Sequence, residues 1–574
     1  MKALSLLIVL LFSRVMGSIG HHVAPGWLAP IAYLWHDAAV VLIFAAVERT
    51  LRARPRVVWT LYVLVASYTV INIPVQRVLW SPLTPTMWRA AGGALADSIR
   101  YYATPMNIVI VALGAAIIAF APVMCRRLVA RPVLIALALC TALGPLATSH
   151  VAMRGAERNA WTALASGMTV RSIGAIEARD WRTSDLPSVP DADLSFLHGA
   201  AAARNVVLVS LESTAARYLG LYGASPDVAP NLSALAQSAV VFDNAYAVYP
   251  ESIKGLFSVL CSVSPGFDTR TESYAQAPCD SIAQVLGSRR YRTALFHSGR
   301  FDYLGMNAII RHRGFDVLAD AGDIGGRHDS SFGVDEPSTV DRVLQWIDSG
   351  PADRPFFITY LPIAGHHPYE TPERGPYPDR DEFGRYRNAL RYADAALGQL
   401  RLGLESRGLN RKTLWIVFGD HGEAFGQHEG NYGHTFQLYD ENVHVPFVMA
   451  LPGVIQSTLR ATRVVSLVDT APTVLDVLGV AAPPGYEGQS MLDGPSRAAL
   501  FFTDYSLPLV GLRDGPRKII YDRRSQRAEW YDLDRDPDER VDLSARHRRE
   551  TDRYTQILEA WIATQSHAAR AAGR

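Results

Sequence analysis

Acidic residues are nearly absent from the first quarter of the chain. Of the 55 Asp and Glu in 574 residues, only Asp37, Glu48 and Asp97 fall before position 150. A bilayer core asks for about 20 mostly apolar residues per spanning helix. Trp27–Val47, Val57–Gln76, Met106–Met124 and Pro132–Ala147 supply four such stretches. A fifth, Leu4–Gly20, is shorter and carries Arg14, so it is either a first spanning helix or an uncleaved signal-like segment. Residues 1–150 are therefore predicted to form a transmembrane domain of about five helices.

Arginine placement orients these helices. Arg49, Arg52, Arg54 and Arg56 share one connection, and Arg126, Arg127 and Arg131 share another, two crossings later. Clusters of this kind stay in the cytoplasm. Both are then cytoplasmic, and everything from about Ser149 onward is extracytoplasmic. The expectation is a multi-pass protein of the cytoplasmic (inner) membrane whose remaining part is periplasmic. Buried helices of a soluble protein would give no reason for the arginines to alternate in this way.

The remainder is ordinary in composition. Lys+Arg 56 against Asp+Glu 55 gives a net charge of +1, which excludes nucleic-acid binding through bulk positive charge. An apolar share of 49% excludes a disordered chain. Residues 151–204 are read as an amphipathic helix around Trp161, Leu164, Met168, Val170 and Ile173, then a linker rich in proline and acid from Asp185 to Asp193. The helix is either surface-lying or ordinarily buried, and periodicity fits both. Cys125 and Cys140 fall at or in the membrane, whereas Cys261 and Cys279 lie about 18 residues apart in the extracytoplasmic part, where an oxidising compartment favours a disulfide.

From Asn205 the pattern becomes α/β. Strands are expected at Val206–Leu211, Thr293–His297, Phe356–Leu361, Leu414–Phe418, Val445–Ala450 and Ala499–Thr503, with helices at Ala229–Ser238, Ser281–Arg289, Val334–Asp348, Gly384–Gly403 and Thr470–Leu478. Alternation of this kind gives a mostly parallel sheet between helices, and ligands bind such sheets beyond the carboxyl ends of the strands. There the sequence places Glu212-Ser213-Thr214, Gly419-Asp420-His421-Gly422-Glu423, and a run from Pro362 through His366 and His367 to Tyr369. Singly, Glu212 could be a helix N-terminal acid and Asp420 a turn residue. Together, at successive strand ends, they favour one divalent cation, and a mixed nitrogen and oxygen set prefers Zn or Mn over Ca or Mg.

These residues carry a resemblance. Asn205 through Thr214, Leu219 through Gly223, Ala229 through Leu232, Phe242 through Tyr246, Asp420 through Glu423, Leu438 through Glu441 with Val445-Pro446, Asp469 through Thr473, and Lys518 through Tyr521 with Trp530 through Pro537 resemble the sulfatase-like branch of the alkaline phosphatase superfamily. The likeness implies a catalytic domain over 205–545, with a C-terminal subdomain from about 497 and a helix and tail at 546–574. With its membrane helices the chain is similar to lipoteichoic acid synthases, phosphoglycerol transferases and lipid A phosphoethanolamine transferases.

Sulfatases of this branch carry Cys/Ser-x-Pro-x-Arg at the nucleophile, and no such motif follows Tyr246. Tyr249-Pro-Glu-Ser252-Ile-Lys254 stands there instead. It is similar to the segment in which the transferases place a threonine, so Ser252 is the implied nucleophile, with backbone N–H groups and Lys254 directed at a phosphate. Ser252 as a plain helix cap predicts the same position. The resemblance implies metal ligation by Glu212, Ser252, Asp420 and His421, with His366 and His434 flanking the leaving group. His367 and His428 are spares.

The function implied is transfer of a phospholipid head group, phosphoethanolamine or phosphoglycerol, to an extracytoplasmic glycan or lipid acceptor through a phosphoserine. A membrane-bound sulfuric ester or phosphodiester hydrolase is the alternative. A non-catalytic membrane protein that keeps the fold is a third reading, which retention of Glu212, Ser252, Asp420 and His421 disfavours. No nucleic-acid partner is expected.

Overall fold

Apolar runs with no polar face must be covered by other helices or by lipid, and in the computed structural model those of the first quarter are helices. The structure describes residues 2–572 other than 22–25, 80, 85–86, 88–101, 152, 154, 167–180, 185, 188–189, 270, 329–331, 493 and 495–496. The chain divides into two units, 1–172 with 426–432, and 173–425 with 433–574.

In the first unit α1 is Lys2–Ser18, α2 Ala29–Thr50, α3 Pro55–Leu79, α4 Pro105–Met124, α5 Ala130–His150 and α6 Ala160–Ser166. Among the described residues, helices α2 to α5 are the four long and apolar enough to cross a membrane, which marks a membrane-anchored protein. α1 is shorter, yet Leu6, Val9 and Leu10 pack with Val41, Tyr62 and Val70 of the neighbouring helices. Its Arg14 is accounted for by a buried ion pair with Asp37 of α2 at 2.9 Å. Asn159 donates to the second oxygen of Asp37 at 3.0 Å. Trp161 donates to the Val65 carbonyl of α3 at 3.2 Å. The segment after α5 thus folds back into the bundle. Of the two readings of the helix around Trp161, the structure selects the buried one, because its polar groups find partners between helices. Met168, Val170 and Ile173 lie outside the described residues.

The second unit begins with chain laid along its surface rather than with a free linker. Arg182 makes a two-pronged pair with Asp469 at 2.5 and 2.6 Å and also donates to the Ala498 carbonyl. Asp191 is held by Arg463 at 2.7 Å. The polar residues expected to mark a linker are spent on docking it.

The strands are β1 Asn205–Leu211, β2 Ala239–Tyr246, β3 Arg292–His297, β4 Val317–Ala319, β5 Phe356–Leu361, β6 Thr413–Gly419, the short β7 Ala424–Phe425 and β8 Tyr432–Gly433, then β9 His444–Ala450, β10 Leu459–Ser466, β11 Ala499–Thr503, β12 Leu509–Asp514, β13 Arg517–Asp522 and β14 Arg527–Asp532. Eight form one sheet in the order β10-β2-β9-β6-β1-β5-β3-β4. Only β9 runs antiparallel to its neighbours in it. Both faces are buried. Val206 and Leu208 of β1 join Ile416 of β6 in one core, and Val207 and Val209 join Trp415 in the other. That is why the central strands read as unbroken apolar runs. The last strands form an antiparallel sheet, β11-β12-β13-β14. The helix Arg548–Ala572 covers it with Leu558, Trp561 and Ile562. A disulfide joins Cys261 to Cys279, and Cys125 and Cys140 are free.

The Arg182–Asp469 pair is nearly solvent-free, with side chains 8% and 5% exposed. Removing one partner of a buried pair strands the other charge, so Asp469→Ala is expected to lower unfolding free energy by about 3–5 kcal/mol. Denaturation followed by tryptophan fluorescence checks this, and an unchanged midpoint would contradict it.

Candidate active site

β1 and β6 are parallel neighbours with Leu211 opposite Gly419, so the residues that follow them leave the sheet side by side. These residues are Glu212 and Asp420. The chain turns sharply after Glu212, with Ser213 in the left-handed region at φ 53°. That turn aims the Ser213 N–H at Asp420 Oδ1, 2.9 Å away. The His421 N–H donates to the same oxygen at 2.8 Å, leaving Oδ2 for another partner. Gly365, beyond β5, brings a third loop against this corner, where a Cβ would stand 2.1 Å from the Glu212 carbonyl oxygen.

Ser252 opens the helix Ser252–Cys261 but does not cap it. Glu251 does, its carboxylate accepting from the N–H groups of Ile253 and Lys254 at 3.0 Å each. The plain cap reading of Ser252 is thereby removed, and so is the expectation that these two N–H groups face a phosphate. The Ser252 hydroxyl donates instead to Glu212 Oε2 at 2.8 Å and lies 3.2 Å from His421 Nε2. Lys254 departs from expectation too. Its ammonium is buried against Asp504 at 3.3 Å and lies over the Tyr249 ring, so its charge is shared with that carboxylate.

Glu212, Asp420 and His421 each offer one ligand atom within 4.8 Å of the others, and all three are buried. Burial first, and then the Asp420 charge, push the Glu212 carboxyl up to about 8 against the pull of His421 and of the Ser252 and Ser213 hydroxyls. Two buried carboxylates with a single imidazole are short of positive charge, which a divalent cation supplies. His421 donates Nδ1 to the Gly422 carbonyl at 2.9 Å, leaving Nε2 as the ligating nitrogen. The donor set fits a divalent cation held by Glu212, Asp420 and His421, with the Ser252 hydroxyl at its edge.

Two further histidines complete the cluster. The His434 ring stacks 4.2 Å from His421, and His366 lies 6.2 Å from His434. His366 donates Nδ1 to the His367 carbonyl at 2.7 Å and packs on Phe332. Burial, together with His434 nearby, pulls its pKa down to about 3, so it stays neutral. His367 turns to Tyr369, and His428 falls in the segment belonging to the other unit. Sequence reading missed two supports. Glu336 is buried and accepts from Ser298, Tyr360 and the N–H groups of Ile363 and Ala364, fixing the loop that presents His366. Glu423 accepts from His434 Nδ1 at 2.9 Å. Only Glu423 had a visible signal, its place in the Asp420-His-Gly-Glu423 run.

Residues 204–480 match the family model for sulfatases. Residues 428–562 match that of the N-sulphoglucosamine sulphohydrolase C-terminal region. The chain belongs to the sulfatase-like branch of the alkaline phosphatase superfamily. A mouse arylsulfatase K is 35% identical over 170 residues, 26% of this chain and 30% of that protein. A lipoteichoic acid synthase-like protein of Bacillus subtilis is 24% identical over 319 residues, 52% of this chain and 51% of that protein. The chain therefore spans about half or less of these curated relatives. Among solved structures, an alkaline phosphatase superfamily protein from Vibrio parahaemolyticus superposes with TM-score 0.54 at 21% identity, covering 65% of this chain and 89% of the other. The lipoteichoic acid synthase LtaP from Listeria monocytogenes gives 0.53 at 19% identity, covering 65% and 93%. Enzymes of this family use metal ions, and the cluster of Glu212, Asp420 and His421 could hold one here.

In this sulfatase-like site, Asp420→Asn keeps the N–H acceptor but loses a charge. It is expected to weaken metal binding by more than roughly 10-fold, since even outer-shell partners of a metal cost that much. Metal analysis after chelation and reloading reads it directly, and full retention would argue against Asp420 as a ligand.

Proposed function

We propose that the protein is a phosphotransferase that moves a phospholipid head group, phosphoethanolamine or phosphoglycerol, onto an extracytoplasmic glycan or lipid acceptor. The observation that carries this reading is the Ser252 hydroxyl, which Glu251 relieves of capping and which sits between Glu212 and His421. Ser252 stands where sulfatases of the branch carry the Cys/Ser-x-Pro-x-Arg motif, and the residues that follow it are Ile253, Lys254 and Gly255. The likeness to lipoteichoic acid synthase-type proteins supports the transferase direction.

In the mechanism, Ser252 Oγ attacks the phosphorus of the donor phosphodiester in line, and its proton leaves along the existing hydrogen bond to Glu212 Oε2. The bond from phosphorus to the diacylglycerol oxygen breaks as that oxygen takes a proton from His434. Ser252 then carries the head group as a phosphodiester. The acceptor hydroxyl gives its proton to the same histidine and attacks phosphorus, and Ser252 leaves with the proton returned by Glu212. Glu212, Asp420 and His421 would hold a divalent cation, Zn or Mn preferred, which lowers the pKa of a nearby hydroxyl and offsets phosphoryl charge. His366, held neutral, offers Nε2 as a hydrogen-bond acceptor to the transferred head group.

The periplasmic placement of this unit belongs to the same proposal and is supported by the arginine clusters. A second reading, a membrane-bound sulfatase-like hydrolase, is favoured by the match of 428–562 to a sulphohydrolase C-terminal region.

Ser252→Ala is expected to abolish the covalent intermediate and most of the turnover, while Ser252→Thr retains appreciable activity because the hydroxyl remains. The measurement is mass spectrometry of the Ser252 peptide after incubation with phosphatidylethanolamine or phosphatidylglycerol vesicles. Wild-type turnover in a metal-loaded alanine variant would overturn the assignment. Hydrolysis of an aryl sulfate, faster than that of an aryl phosphodiester, would favour the second reading. A reporter active only outside the cytoplasm should work when fused after Arg574 and fail after Arg127, and the reverse would overturn the placement.

A further inference from the structure

The Asp420-His-Gly-Glu423 run ends in a residue outside the cation cluster. Glu423 is 1% exposed, and an ionised carboxylate is retained at such a place only when its oxygens are matched. His434 Nδ1 donates to Oε2 at 2.9 Å. The Tyr369 hydroxyl faces the same carboxylate and favours its ionised form, and the Glu423 carbonyl accepts from the Tyr218 hydroxyl at 2.8 Å. The residue is thus fixed by both its main chain and its side chain, and it fixes in turn a ring that stacks 4.2 Å from His421.

We infer that Glu423 is a positioning residue, which by accepting the Nδ1 hydrogen sets the ring and tautomer of His434 so that Nε2 is offered to the leaving oxygen. This role rests on the proton-donor reading of His434 above. An imidazole has two equivalent-looking nitrogens, and the hydrogen bond at one decides which is free. The proton balance follows. As the phosphorus–oxygen bond to the lipid breaks, Nε2 gives up its proton to the departing oxygen while Nδ1 keeps its hydrogen, donated to Glu423. The ring, now neutral, recovers a proton at Nε2 from the acceptor hydroxyl. Without Glu423 the ring can turn or carry its hydrogen on the wrong nitrogen, and neither transfer is aligned. Tyr369 acts one step further out, by keeping the carboxylate from rotating.

The test uses the full chain in detergent with two probes, phosphatidylethanolamine, whose alkoxide needs a proton to leave, and bis(p-nitrophenyl) phosphate, whose phenolate does not. Glu423→Ala is expected to slow phosphoserine formation from the lipid on the order of 10²-fold, the low end of what positioned proton transfer contributes. It should change the aryl ester rate little. Glu423→Gln still accepts from Nδ1 and should recover part of the loss. The double variant Glu423→Gln/His434→Asn should be no slower than His434→Asn alone, because a residue that acts through another adds nothing once that one is gone. Tyr369→Phe, which leaves the carboxylate in place, should show a weaker loss of the same selectivity and serves if the Glu423 variants do not fold. Equal slowing of both probes by the Glu423 variants, or additive losses in the double variant, would overturn the inference alone, provided His434→Asn is itself selective for the lipid. Unselective slowing by His434→Asn would overturn the proton-donor reading and this inference together.

Discussion

Two carboxylates buried at adjacent strand ends set the terms for the rest of the catalytic unit. Parallel pairing of β1 and β6 leaves Glu212 and Asp420 no way to part, because each is the first residue past its strand. Like charges this close and this dry repel strongly. The surrounding chain is organised to meet that repulsion with oriented donors. Ser213 enters the left-handed region to turn its N–H inward, His421 gives its backbone N–H to Asp420, and Ser252 and Ser213 give hydroxyls to Glu212. The Ser252 hydroxyl, the proposed nucleophile, is thus held on one of these carboxylates, beside a donor set that fits a divalent cation.

Much of this was legible in the sequence for a definite reason. The central strands are covered on both faces, so their apolar runs are continuous and their ends abrupt, and the residues at those ends stand out. Strand β10 escaped because it lies at the sheet edge with exposed Arg460 and Thr462 interrupting its pattern. The β12 to β14 meander escaped because its buried charges, Arg513, Asp514 and Lys518, disguise the alternation.

Two side-chain assignments failed through long-range partners and a third through a neighbour. Lys254 looks like a phosphate contact until Asp504, 250 residues away, takes its ammonium. The acidic stretch around Asp191 looks like a linker until Arg463 and Thr462 claim it. Glu251 was passed over as a cap because serine fills that role so commonly that Ser252 beside it drew the assignment. For Lys254 and Asp191 the local chemistry was read correctly and the partner lay far along the chain. The family resemblance singled out Ser252 as the candidate nucleophile, whereas its release from capping follows from Glu251.

The ion pair between Arg14 and Asp37 bears on how the membrane unit is assembled. An arginine or aspartate carried alone into a bilayer costs roughly 2.5–3.5 kcal/mol on insertion scales. The two sit on consecutive helices, so α1 and α2 enter most easily as one hairpin, each carrying the other's counter-ion. Their last partner, Asn159, is synthesised more than a hundred residues later and reaches the pair only once α5 is in place. Completion of the helical bundle therefore waits for the chain that immediately precedes the second unit, which ties its assembly to the start of that unit's synthesis.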